Sequence, residues 1–173
     1  MTSNISLSPH FVLSEFTKSA TARSHGIKNE PAPEQVENLK ALCVHTLEPL
    51  REALGLPVVI TSGYRTKALN SMLAHSSERS QHMQGCAADF YVSSAGSIVQ
   101  GSKVQGRREL LIKAFRLIIL DESIDYDQLI LYPSFIHVSY VSRERNRRTI
   151  LLGMRNGKLG YGKCSVQNAL KIE

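Results

Sequence analysis

The run Ser80-Gln81-His82-Met83-Gln84-Gly85-Cys86-Ala87-Ala88-Asp89 sets a histidine and an aspartate seven residues apart across a glycine. A second histidine, His137, follows far downstream in Phe135-Ile136-His137-Val138-Ser139-Tyr140. Two imidazole nitrogens and one carboxylate oxygen are three of the four donors of a catalytic zinc ion, whose fourth position stays open for water or substrate. The chemistry such a set serves is hydrolysis. Gly85 lets the intervening chain turn tightly, and zinc needs its donors only about 2.0 to 2.2 Å away. On spacing alone a plainer account stands beside this one, in which His82 and Asp89 make a satisfied loop contact and His137 is a half-buried strand histidine.

The elements that must carry these residues follow from the apolar spacing. Ser8 to Lys18 reads as a short capped helix or two turns with Phe11, Leu13 and Phe16 on its apolar face. Pro31-Ala32-Pro33 opens a helix whose Val36, Leu39, Leu42, Cys43, Leu47, Leu50 and Leu54 recur at helical spacing until Gly55, with Pro49 awkwardly inside it. Val58-Val59-Ile60 is a β-branched strand that runs into Ser62-Gly63-Tyr64-Arg65, a turn that would display Arg65. Arg65 to Ala74 reads as a short helix, and His75 to Arg79 as a polar loop that delivers His82, with His75 near the mouth of the site.

Ala87 to Ser93 reads as a strand with Asp89 and Tyr91 on one face and Ala88 and Phe90 on the other. Ser94 to Gly106 has the composition of a mobile connection, and Arg108 to Leu120 returns to a helical pattern. Gln128 to Tyr132 and Phe135 to Val141 read as two strands around Pro133-Ser134, His137 sharing its face with Phe135 and Ser139. Thr149 to Met154 and Lys158 to Tyr161 flank Asn156-Gly157, a hairpin turn signal. Helices and adjacent strands without regular βαβ alternation predict an α+β fold, an antiparallel sheet with helices packed on one face.

Bulk properties narrow the class. At 173 residues the chain has room for one domain, residues 1–173, with a proper core. No stretch approaches the roughly 18 apolar residues of a membrane span, and the first twenty residues lack the pattern of a secretory signal. Cys43, Cys86 and Cys164 are widely spaced, with no C-x-x-C pair, so neither a disulfide framework nor a cysteine zinc site is implied. The net charge of +6 favours anionic polymers, with wall material and nucleic acid both eligible. Arg143, Arg145, Arg147 and Arg148, with Lys158 and Lys163, form a basic cluster that lacks the interleaved aromatics of base stacking.

Three separated blocks carry a family resemblance. Ser80-x-His82-x-x-Gly85-x-Ala87-x-Asp89, preceded by Thr61-Ser62-Gly63-Tyr64-Arg65 and followed by Ile136-His137-Val138-Ser139, resembles the M15 zinc D-Ala-D-Ala peptidases. Leu7-Ser8-Pro9-His10-Phe11 and Glu15-Phe16-Thr17-Lys18-Ser19-Ala20 are similar to the small M15 proteins of bacteria and their phages, so the resemblance spans roughly residues 7 to 150. It implies His82, Asp89 and His137 as zinc ligands, Ser80 as a substrate contact and Arg65 as the group that stabilises negative charge on the scissile carbonyl. It further implies the Hedgehog and D,D-peptidase fold, and a zinc peptidase acting on D-alanine bonds of peptidoglycan stem peptides. A monomer is expected and, with no signal visible, one made in the cytoplasm that reaches the wall after release or lysis. A fixed guanidinium aimed at a developing oxyanion is sound chemistry in its own right.

One departure marks the sequence. Many relatives place a glutamate or aspartate shortly before the last histidine, where this chain has Tyr132-Pro133-Ser134-Phe135-Ile136. Asp127 is the nearest upstream acid, as a base or as a group that orients a ligand; as a strand-start residue it needs neither role. A non-catalytic, metal-stabilised binding module and a basic nucleic-acid binder are the rival readings, the latter with salt-sensitive affinity that survives zinc removal.

Overall fold

A short antiparallel pair, β1 (Ser6–Ser8) and β2 (Phe11–Val12), opens the computed structural model, which describes residues 5–74, 76–93, 103–155 and 158–172. Expected as a short capped helix or two turns, residues 8–18 instead begin in a strand pair, because Pro9, with a fixed φ and no N–H, occupies the turn between the two strands. Helix follows only in α1 (Leu13–Thr17) and α2 (Ala20–Ser24). Phe11 and Phe16 are fully buried, edge to face at 6.1 Å, so the segment covers the core.

The next helical stretch solves the problem of its internal proline. It runs as α3 (Pro33–Leu42), a π turn (Cys43–Leu47) and α4 (Glu48–Leu54). Pro49 cannot donate to the carbonyl of His45 and its ring would crowd it. The π turn widens the helix there, with the Glu48 N–H donating to the Cys43 carbonyl, while the released His45 carbonyl accepts from the Asp125 N–H at 2.9 Å. Gly55, with φ of 63°, ends α4 in the left-handed conformation.

The remaining elements are β3 (Val58–Ser62), α5 (Lys67–Met72), a 3-10 turn (Gln81–Gln84), β4 (Ala87–Val92), α6 (Lys103–Leu120), β5 (Gln128–Leu131), β6 (Ile136–Ser139), β7 (Thr149–Arg155), β8 (Lys158–Lys163) and α7 (Val166–Ala169). Helix α6 begins five residues before the expected Arg108; the rest of the anticipated connection, residues 94–102, lies outside the described residues, as does the Asn156-Gly157 turn between β7 and β8.

Strands β3 to β8 form one sheet in the order β3-β4-β6-β5-β7-β8. Its pairs are antiparallel except β5 with β7, which are parallel, so the expected sheet is in fact mixed. The exception follows from the β5–β6 pairing: β6 ends beside Gln128, where β5 begins, and a strand started there on the free side of β5 runs parallel to it.

Alternation assigns the two faces. Ala88, Phe90 and Val92 of β4, Ile136 and Val138 of β6, and Leu129 and Leu131 of β5 all enter the hydrophobic core. There they meet α6, through Leu111, Ala114, Phe115 and Ile118, and the residues of α3 and α4. The opposite face presents Asp89, His137 and Ile130 to a cleft. The α+β class, with helices gathered on one face, is thus observed, and the other face is left for chemistry. No helix among the described residues is long and apolar enough to cross a membrane.

Candidate metal centre

Asp89 and His137 stand directly opposite each other in the β4–β6 register, so the pleat points both side chains to the same face. His82 reaches them from the 3-10 turn rather than from the loop expected. Ser80 precedes that turn, and Gly85 closes it at a φ of +72°. The turn is tied down on three sides. The His82 carbonyl accepts from the Arg65 N–H at 3.2 Å, Asn38 Nδ2 donates to the Gln84 carbonyl at 2.8 Å, and His82 Nδ1 donates to the Gly63 carbonyl at 2.6 Å.

That last bond decides the tautomer. With its proton on Nδ1, His82 turns a bare Nε2 lone pair toward His137 Nδ1 and Asp89 Oδ1, each 3.3 Å away, while His137 Nδ1 lies 2.8 Å from the same Asp89 oxygen. One imidazole proton serves only part of such a set; a divalent cation serves all three electron pairs. Donors around tetrahedral zinc stand roughly 3.3 to 3.6 Å apart, given bonds of about 2.0 to 2.2 Å. Two of the three separations meet that spacing, and the third is a direct hydrogen bond. The backbone acceptor behind His82 is the usual orienting partner of a metal-bound imidazole. The donor set fits zinc; what the structure adds to a plain His82–Asp89 contact and a half-buried His137 is that all three meet at one point.

Electrostatics keep the set in its ligating form. Burial holds His82 toward the neutral state, against the pull of Asp89. Burial alone would raise the Asp89 carboxyl, but the neighbouring imidazoles of His82 and His137 outweigh it and keep Asp89 well below the usual carboxylate range.

Arg65 occupies the other oxygen of Asp89. Its Nη2 donates to Oδ2 at 3.0 Å, and Nε and Nη2 donate to Ser62 Oγ at 3.0 and 2.9 Å. The turn that bears it is pinned by a residue the sequence did not flag. Asn29 is buried, its Nδ2 donates to the Tyr64 and Thr17 carbonyls, and its Oδ1 accepts from the Thr66 N–H. It lies in an irregular segment where no periodicity marks it. Gly63 brings the turn against α1, where a Cβ would stand 2.7 Å from Phe16.

Arg65, Ser80, His82, Asp89, Asp127 and His137, the six residues expected from the sequence, line a single cleft of about 1010 Å³. Tyr132 and Phe135, stacked at 4.3 Å, form part of its wall, and Gly153 is the residue that lets the Tyr132 ring lie against β7. Asp127 sits in the cleft already engaged. Its Oδ1 accepts from the N–H and Nε of Arg147 at 2.8 and 2.9 Å; its Oδ2 accepts from Arg147 Nη2 at 2.5 Å, Gln81 Nε2 at 2.9 Å and Ser139 Oγ at 3.4 Å. Burial raises its carboxyl, but the bonds from Arg147 and Gln81 prevail and bring it down to about 2. The basic cluster is also partly matched, for Arg143 and Arg148 both pair with Asp125. Cys86 is a buried packing residue, as expected, and His75 lies outside the described residues.

Gly85 offers a direct check on this construction. Its left-handed φ disfavours any side chain by about 1–2 kcal/mol, and a Cβ would also collide with the Gln35 carbonyl of α3. Gly85→Ala is expected to lower the melting temperature by at least about 4 °C and to weaken metal binding, because the clash pushes the turn that holds His82; an unchanged melting temperature by calorimetry would contradict the geometry.

An α+β domain that gathers two histidines and an aspartate beside a half-buried arginine, in an open cleft, has the construction of a metal-dependent hydrolase. A family model for Peptidase M15 matches residues 9–119, and the chain belongs to that family. Membership implies a metallopeptidase, typically zinc-dependent. The matched segment contains Arg65, Ser80, His82 and Asp89; β6 supplies His137 from beyond it. No curated protein matches the chain.

Proposed function

We propose that the protein is a zinc peptidase that cleaves D-alanine bonds in peptidoglycan stem peptides, with the metal held by His82, Asp89 and His137. Zinc bound there would polarise the scissile carbonyl and lower the pKa of a water to about 7. The observation that carries this reading is the convergence of three donor atoms, all within 4.8 Å of one another, beside Arg65 in the cleft. Arg65, held rigid by Ser62 and Asp89, faces developing negative charge without having to reorganise. Ser80, at the cleft wall, hydrogen-bonds the peptide, and the Tyr132–Phe135 pair with Ile130 gives a small apolar side chain a surface to rest on.

Charge in the cleft supports a carboxypeptidase mode over cleavage within a cross-link. Arg79 and Arg145 line the cleft and form no ion pair among the described residues, whereas Arg65 and Arg147 are each matched by an aspartate. Two unmatched guanidiniums favour a substrate with a free terminal carboxylate. The protein would then meet its substrate in the cell wall.

One observation favours the second reading, a metal-stabilised binding module. Asp89 and Asp127 are the carboxylates among the described lining residues, and both are fully engaged, so no uncommitted side-chain base stands in the cleft. Asp127 serves better as a positioning group than as the base. The deciding experiment is digestion of muropeptides by the zinc-loaded protein, a chelated sample and His137→Ala, with products weighed by mass spectrometry. Release of terminal D-alanine that both controls abolish establishes the peptidase and its mode. Tight zinc with intact muropeptides establishes the binding module.

A further inference from the structure

We infer that Gln81, Asp127 and Arg147 form a bracket that sets the metal affinity of the centre by fixing His82 relative to His137; the inference rests on the zinc reading above. None of the three belongs to the donor set. Gln81 is the residue before His82 on the 3-10 turn, and its Nε2 is bound to Asp127 Oδ2 at 2.9 Å. Asp127 is tied to the other side of the centre. Its N–H donates to the Ser139 carbonyl at 2.6 Å, and Ser139, two residues beyond His137 on β6, also directs its hydroxyl to Oδ2. The Asp127 carbonyl accepts from Thr149 N–H at 2.9 Å, which adds the start of β7.

A carboxylate with 1% side-chain exposure thus joins the turn that carries one histidine to the strand that carries the other. Arg147 makes that burial tolerable. It grips both oxygens through its backbone N–H, Nε and Nη2, and its Nη2 lies 3.5 Å from Gln81 Oε1, so it braces both ends of the Gln81–Asp127 bond. A two-point guanidinium grip fixes direction as well as charge. Two imidazoles held at their ligating separation before the metal arrives lose less freedom on binding it, and partners behind the ligands typically govern 10- to 100-fold in metal affinity.

The test is zinc affinity, measured on the full chain by competition with a chromophoric chelator, alongside the absorption spectrum of the cobalt-substituted protein. Gln81→Ala and Arg147→Ala are each expected to raise the zinc Kd by about 10-fold or more and to broaden the cobalt bands. Arg147→Lys should recover only part of the loss. Arg143→Ala is the matched control, because it removes a neighbouring arginine that pairs at 3.9 Å with Asp125 rather than with Gln81 or Asp127; its Kd should equal that of the parent. Gln81→Ala leaves the Asp127–Arg147 pair in place, so a folded variant remains in hand should Arg147→Ala fail to fold. Zinc constants within twofold of the parent for both alanine variants overturn the bracket while leaving the metal centre standing. A parent protein that binds no zinc overturns the zinc reading, and the bracket with it.

Discussion

Asp89→Ala is expected to strip the protein of zinc and to abolish hydrolysis, the largest effect of any single substitution at the site. Asp89 is the point on which the other groups depend. Its Oδ1 faces His137 Nδ1 at 2.8 Å and His82 Nε2 at 3.3 Å, and its Oδ2 holds Arg65 Nη2 at 3.0 Å. Removing it takes away the only negative charge among the three donors and strands a guanidinium with 14% side-chain exposure. Breaking one side of a buried ion pair costs about 3–5 kcal/mol, which for a chain of this size lowers the melting temperature by roughly 6–20 °C.

Asp89→Asn separates the two consequences. The amide keeps the shape and a carbonyl oxygen for His137, so the fold suffers less, but the charge that draws a cation is gone. Both variants should leave dialysis without stoichiometric zinc, as read by elemental analysis, and neither should turn over substrate. Full zinc occupancy in Asp89→Ala would remove Asp89 from the donor set and with it the proposed centre.

Arg65→Ala should show the complementary pattern, with zinc retained and turnover lost. Removing one preorganised donor to a developing oxyanion costs about 10²–10³ in kcat. Because the guanidinium touches Asp89 through the oxygen that faces away from the histidines, its removal leaves the three donors intact. Lysine should not restore the rate: the arginine spans Ser62 Oγ and Asp89 Oδ2 at once, and a single ammonium on a flexible stem cannot hold that direction. The measurement is kcat and KM on the muropeptide, with zinc content determined on the same sample. An unchanged kcat, or a loss explained by missing zinc, would take the oxyanion role away from Arg65.

Two features of the molecule were legible for different reasons. The metal donors could be read because their side-chain types are chemically restrictive and because strand parity is local: once residues 87–92 alternate, Asp89 must point away from the face of Ala88 and Phe90. The longer helices and the central strands followed from the same short-range periodicity, down to the helix stop at Gly55, whereas the strand pair at residues 6–12 did not. Pro49 was visible as a difficulty, but its resolution was not, since the proton that satisfies the His45 carbonyl comes from Asp125, eighty residues away.

By itself, then, the sequence determined the α+β class and the glycines that shape the turns, because these depend on residue type and on spacing within an element, and it offered the candidate donors, which spacing left open and the family resemblance singled out. Tertiary structure decided which neighbour β7 would join, and so the one parallel pair in the sheet. It also decided the role open to Asp127. The residues that occupy its oxygens, Gln81 and Arg147, lie 46 and 20 positions away, while Arg143 and Arg148 of the same segment turn to Asp125 instead. A carboxylate is a base, a ligand or a brace according to which donors stand within about 3 Å of it, and that neighbourhood exists only once distant segments have packed together.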